Sequence, residues 1–151
     1  MQFGITFKGE GSPERTRYLV RQAEEAGFEY SWFFDSHILW RDSYVTIAMC
    51  IEHTQTMRFG PCVTNPGVRD WSVAASLFGS LVFQSKGRFD IGVGRGDSSL
   101  RVMGKKPANL SEVVDFCDKV RLMVRGDQTV YSDCPTPVSY THLTLPTNRE
   151  V

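Results

Sequence analysis

GRFDIGVGRGDSS, Gly87 to Ser99, carries a short apolar run straight into a glycine-rich, polar turn. That order puts flexible backbone at the carboxyl end of a strand. In parallel α/β proteins this end is the face where ligands bind, and glycine lets backbone N–H groups come close to an anion. Taken alone, the segment reads more readily as a plain chain reversal than as an anion cradle. Its neighbours decide.

Three similar runs precede it: QFGITF from Gln2, EYSWFF from Glu29 and MRFGPCVT from Met57, with RFDIGV from Arg88 as the fourth. They start about 30 residues apart, the length of one βα unit. The segments between them have helical spacing and usable ends. Ser12 caps and Pro13 opens a first helix, with Leu19, Ala23 and Ala26 on one face and Gly27 as its stop. A second is expected from about Ser43 to His53. Asp70 caps a third, in which Trp71, Ala74, Ala75, Phe78, Leu81 and Val82 repeat at i, i+3, i+4 and i+7. Asn109 with Glu112 three residues on opens a fourth, with Leu110, Val113, Val114, Cys117, Val120 and Val124 as its apolar face and Gly126 as its end.

Four consecutive βα units imply neighbouring parallel strands with right-handed crossovers, either an open doubly wound sheet or a (β/α)8 TIM barrel. The turn after the first strand reads Lys8-Gly9-Glu10-Gly11-Ser12, which does not fit G-x-G-x-x-G and disfavours a dinucleotide fold. The barrel reading gains, with half a barrel present.

Seventeen basic and seventeen acidic residues among 151 leave no net charge, and no basic stripe argues for nucleic acid. The start, MQFGITFKGEG, lacks a signal-peptide core, and no apolar run reaches membrane-spanning length. A soluble, cytoplasmic protein with neither nucleic-acid nor membrane partner is expected. Cys50, Cys62, Cys117 and Cys134 form no C-x-x-C pair, and reduced, mostly packed thiols are predicted.

The strand ends collect polar groups on one rim. Asp35, His37 and Trp40 follow the second run: histidine trades protons near neutral pH, and tryptophan can cover a planar ligand. Asp35-x-His37 has no third ligand in view, since His53 and His142 fall elsewhere, so no metal is expected. Thr64 and Asn65 end the third run before Pro66-Gly67 breaks it. Arg69 is open between meeting an anion, pairing with Asp70 and standing in solvent, the last two being the commoner fates of such a charge. Gly94, Arg95, Gly96, Asp97 and Ser98 bring amides, a guanidinium and a hydroxyl to the fourth turn. Each cluster also has a bland reading as capping, core or turn chemistry.

FGITF followed by SPERT, AGF before the second strand, then WFFDSH, RFGPCVTNPG, DWSVAASL and GRFDIGVGRGDSS resemble, in order and spacing, the luciferase-like flavin-dependent oxidoreductases. Within them the chain is most similar to the branch using the deazaflavin coenzyme F420, over Met1 to about Pro137. The resemblance implies the N-terminal half of a (β/α)8 barrel whose carboxyl-terminal rim holds F420, with an FMN-dependent luciferase-like monooxygenase as the alternative. It implies hydride transfer with a small-molecule substrate. It places His37, Thr64 and Asn65 near the reactive ring, His37 in proton transfer, Trp40 in the substrate pocket and Asp35 among the cofactor-binding residues. A non-proline cis peptide around Val63 to Asn65 is implied as well. Gly94, Arg95, Gly96, Asp97 and Ser98 would border the ribityl and phosphate portion.

Relatives run to about twice this length. Residues 1–137 are expected to form the partial barrel, and 138–151, VSYTHLTLPTNREV, a non-native or disordered tail. Four parallel strands leave two sheet edges unpaired, so self-association is expected, with pairing of halves as one form of it. A half-barrel without catalytic role remains the reading from another class.

Overall fold

The computed structural model describes residues 1–130 and 137–138. Three strands, β1 (Gly4–Phe7), β2 (Tyr30–Phe33) and β3 (Arg58–Pro61), form a parallel sheet in that order, with Gly4 opposite Tyr30 and Tyr30 opposite Arg58. A helix follows each strand: α1 (Pro13–Glu25), α2 (Ser43–Ile51) and α3 (Trp71–Gln84). The chain continues through α4 (Asp97–Val102) and α5 (Leu110–Arg125) to a two-residue antiparallel pair, β4 (Thr129–Val130) with β5 (Pro137–Val138). No helix among the described residues is long and apolar enough to cross a membrane.

The strand period of two sorts the side chains. Ser31, Phe33 and Phe59 turn to the helices and are buried, while Tyr30 and Trp32 lie half-buried on the other face with their rings stacked at 5.4 Å. Trp32 approaches β3 closely at Gly60: a Cβ there would come within 2.7 Å of the indole and collide with the Asp90 carbonyl. Beneath the helices, Val20, Ile47, Phe59 and Phe78 are fully buried, and Phe78 touches both Tyr44 and Phe89.

The local helix signals hold. Ser12 Oγ accepts from Arg15 N, Asp70 Oδ1 from Ser72 N, and Asn109 with Glu112 forms a reciprocal capping box. The buried faces differ from expectation. In α1 the core takes Thr16, Val20 and Ala23, while Leu19 is left exposed; in α5 it takes Phe116, Val120 and Met123, leaving Leu110 and Val114 in solvent. Packing against α3 selects the aromatic and methionine side of α5 over its longer run of valines.

The fourth run is not the continuous strand expected. It touches β3 at two isolated parallel bridges, Phe59 with Phe89 and Thr64 with Val93. The five steps from Phe59 to Thr64 therefore lie opposite four from Phe89 to Val93, which is a bulge. Pro61 has no N–H to give, and the Cys62–Val63 peptide within the bulge is cis, at the edge of the window expected. Pairing resumes where Thr64 N donates to Gly92 O and Gly94 N to Thr64 O. Beyond it, α4 begins at Asp97, a helical turn where only a polar loop was expected. The expected tail lies outside the described residues, apart from the place of Val138 in β5.

Candidate functional site

The bulge opens a cleft at the carboxyl ends of the strands. Its volume is about 270 Å³. One wall is Phe34, Asp35 and Ser36 from the end of β2, with Cys62, Val63 and Asn65 from the end of β3. Phe34 and Val63 are 38% and 42% exposed, so this wall offers apolar surface. Arg95 to Ser99 make the facing wall, which is polar.

Gly96 turns the chain here at φ 81°, and a Cβ in its place would stand 2.5 Å from Asn65 Cγ. Glycine thus satisfies both the left-handed backbone and the close approach. Asn65, almost fully buried, donates through Nδ2 to Ser99 Oγ at 3.0 Å and accepts from Gly67 N at 3.1 Å, tying its own turn to α4. Arg95 donates Nε to the Ala108 carbonyl at 2.7 Å, leaving its terminal nitrogens without a protein partner among the described residues. Asp97 pairs at 3.4 Å with Arg101, and Ser98 is exposed.

Behind the apolar wall lies a buried charge network. Asp35, 4% exposed, accepts from the Tyr44 hydroxyl at 2.8 Å and, through both oxygens, from Arg69 Nη1 at 3.1 Å. Arg69 Nη2 reaches Asp42 Oδ2 at 2.7 Å, and its guanidinium stands 4.6 Å from the Tyr44 ring centre. Burial, reinforced by the Asp35 carboxylate, pushes the Tyr44 phenol far above its usual range. Burial works against the Arg69 charge, but Asp35 and its neighbours outweigh it and raise its pKa. Thr64 Oγ1, beside Tyr44, is buried without a hydrogen bond of ordinary geometry.

Of the residues expected at the site, Asp35, Asn65, Arg95, Gly96, Asp97 and Ser98 line this one cleft. Gly94 adjoins it, a Cβ there meeting Val63 Cγ2 at 2.6 Å, and Thr64 is buried behind it. His37 and Trp40 stand outside. His37 is exposed on the turn that follows Ser36, and Trp40 packs against Gly9 with Lys8 Nζ 5.7 Å from its ring centre. Phe34, Ser36, Cys62, Val63 and Ser99 are additions on the cleft walls and Tyr44 one behind them, while Arg69, left open above, pairs with Asp35 and Asp42. Of the thiols expected to be reduced and mostly packed, Cys50 is buried and Cys117 half-buried, Cys62 is exposed on the cleft wall, and Cys134 lies outside the described residues. No cluster able to hold a metal ion occurs among the described residues. A second cavity, about 330 Å³, lies between the Pro66–Gly67 turn, α4 and α5, and mixes Lys105 and Lys106 with Glu112 and Asp115.

The family model for luciferase-like monooxygenases matches residues 1–146. The chain belongs to that family. This luciferase-like chain is 30% identical over 135 residues to 5,10-methylenetetrahydromethanopterin reductase of Archaeoglobus fulgidus, covering 87% of this chain and 40% of the relative. It is 35% identical over 102 residues to the Methanopyrus kandleri reductase of the same name, covering 66% and 28%. Among solved structures, the coenzyme F420 dependent tetrahydromethanopterin reductase from Methanopyrus kandleri superposes with a TM-score of 0.78 at 23% identity, covering 89% of this chain and 44% of that one. A type II Baeyer–Villiger monooxygenase of Pseudomonas putida, in complex with FMN, gives 0.75 at 14%, covering 93% and 44%. The luciferase-like chain thus spans less than half the length of these relatives, and its parallel α/β fold corresponds to about half of a luciferase-like TIM barrel.

Proposed function

We propose that this chain forms the cofactor-binding part of an F420-dependent oxidoreductase that transfers hydride to or from a small organic substrate. The observation that carries this reading is the cleft itself, an apolar wall from the ends of β2 and β3 facing a polar wall from Arg95 to Ser99. A planar ring fits the first, and a phosphate-bearing chain fits the second. Arg95 offers its unpaired guanidinium nitrogens, and the Asp97 and Ser98 N–H groups open α4, where no intrahelical acceptor exists. Bound there, the deazaflavin would supply the carbon that gives or takes hydride.

F420 is favoured over FMN because a relative at 34% identity is an F420-dependent hydroxymycolic acid dehydrogenase of Mycobacterium tuberculosis, and the solved Methanopyrus kandleri reductase is coenzyme F420 dependent. The FMN-bound relative supports the fold alone. His37, one residue beyond the cleft-lining Ser36, is assigned the proton-handling role. In the relatives the fold runs to about twice this length, and the cleft is read as one part of such a full barrel.

Titration with F420 and with FMN, followed by fluorescence, tests the reading. Saturable F420 binding tighter than FMN binding, weakened in Gly96→Ala, is expected. Tighter FMN binding would reassign the cofactor, and binding of neither would leave a half-barrel without this function.

A further inference from the structure

The network behind the cleft joins two segments far apart in sequence. Arg69 belongs to the turn between β3 and α3, which also carries Asn65. Its three contacts, Asp35, Asp42 and the Tyr44 ring, all belong to the segment running from the end of β2 into α2, which also carries Ser36 and His37. Asp42 is moreover the N-cap of α2, its Oδ1 accepting from Tyr44 N and Val45 N. One guanidinium therefore holds both the loop that ends β2 and the helix that follows it. Its side chain is 14% exposed and that of Asp35 2%, so the contact is shielded from solvent and salt. Asp35 is also a cleft-lining residue whose two oxygens are both engaged from behind.

Resting on the cofactor-site reading above, we propose that Arg69 is a positioning residue: it clamps the β2–α2 loop to the β3–α3 loop, and so sets the apolar wall of the cleft, while compensating the buried Asp35 charge that would otherwise face an anionic cofactor. Asp35 then serves the wall through Arg69 and Tyr44 rather than by touching the ligand. The geometry suits arginine alone, since the two carboxylates are reached by different nitrogens of one planar fork.

Two variants separate this clamp from a general contribution to stability. Arg69→Met leaves Asp35 charged and buried without its partner, which destabilises; adding Asp35→Asn removes that charge, and replacing both members of a buried pair is often nearly neutral. The expected result for Arg69→Met is a lower Tm, faster amide hydrogen exchange in residues 34–42 and 62–70, and F420 affinity reduced by about tenfold, the loss that about 1.4 kcal/mol of binding free energy carries. In the double variant the Tm returns towards the parent value, while loop exchange stays fast and affinity stays low. Recovery of loop protection and affinity together with Tm in the double variant would overturn the proposal, as would parental exchange and affinity in Arg69→Met. If the parent protein binds neither F420 nor FMN, the cofactor reading fails, and exchange in the two loops alone decides the clamp: fast exchange at recovered Tm supports it, and parental exchange overturns it.

Discussion

Gly96 concentrates the constraints on the cleft, because its backbone is left-handed and the Asn65 amide occupies the space a side chain would need. Gly96→Ala is therefore expected to cost about 1–3 kcal/mol of stability, read as a lowered urea midpoint at unchanged slope, and to weaken F420 binding as the Arg95–Ser99 wall shifts. Another single residue, Glu24 on α1, holds the entry to β3. Its carboxylate accepts from the N–H groups of Gln55, Thr56 and Met57, the last two at 2.7 Å. Burial pushes its pKa up, but those N–H groups outweigh burial and bring it below the ordinary glutamate value. Because the folded-state pKa is depressed, the stabilisation is present above the unfolded value, about 4.3, and lost as pH falls through the folded one. Urea midpoints measured across that window should fall for the parent, and Glu24→Gln should flatten that part of the slope. At this scale Gly94, Gly96 and Asn65 were legible, since glycine and turn residues act through their own backbone. Arg69 was not: it lies beside Asp70 in sequence, but its partner Asp35 is 34 positions away. Tyr44 gave no signal either, because a phenol inside an apolar helix pattern reads as core until its hydroxyl finds a carboxylate.

Elements show the same division between local and tertiary causes. Helix starts were readable at Ser12, Asp70 and Asn109 because a cap is a contact across two or three residues. Asn109→Ala, which removes one arm of the capping box while the Glu112 arm remains, is expected to cost about 1 kcal/mol by chemical denaturation, concentrated in faster exchange at the first turn of α5. Which face of α5 is buried depends on what α3 presents, and there the valine run misled. The fourth run falls short of a continuous strand for a similar reason. Its sequence has strand character, but pairing needs β3 to stay in step, and Pro61 with the Cys62–Val63 bulge takes β3 out of step by one residue. The short helix α4 was hidden because Gly94 to Ser98 reads as loop, although a left-handed glycine can equally launch a helical turn at Asp97.

At the scale of the whole molecule the sheet has two open sides. Among the described residues, β1 pairs only with β2, and the segment at Phe89 to Val93 forms its bridges only with the Phe59–Thr64 stretch. Both edges are parallel, and the face bearing Tyr30 and Trp32 is only half-buried. Edges of this kind invite pairing with another chain. Sedimentation over rising concentration is expected to show reversible association of the 151-residue protein; a monomer at every concentration would contradict it. The half-barrel architecture was legible because the βα repeat recurs at near-constant spacing, and the family followed from motifs in the right order. The site was legible as a set of strand ends, yet the sequence could not say that His37 and Trp40 stand outside the cleft, since that depends on how the turn after Ser36 is packed against Gly9 and Gly11. The most direct measurement is a titration of this protein with F420, with FMN alongside, followed by fluorescence. Saturable F420 binding, tighter than that of FMN and weakened by Gly96→Ala, is the result expected of a cofactor cleft between β3 and the Arg95–Ser99 wall. No saturable F420 binding, or FMN bound more tightly, would contradict it.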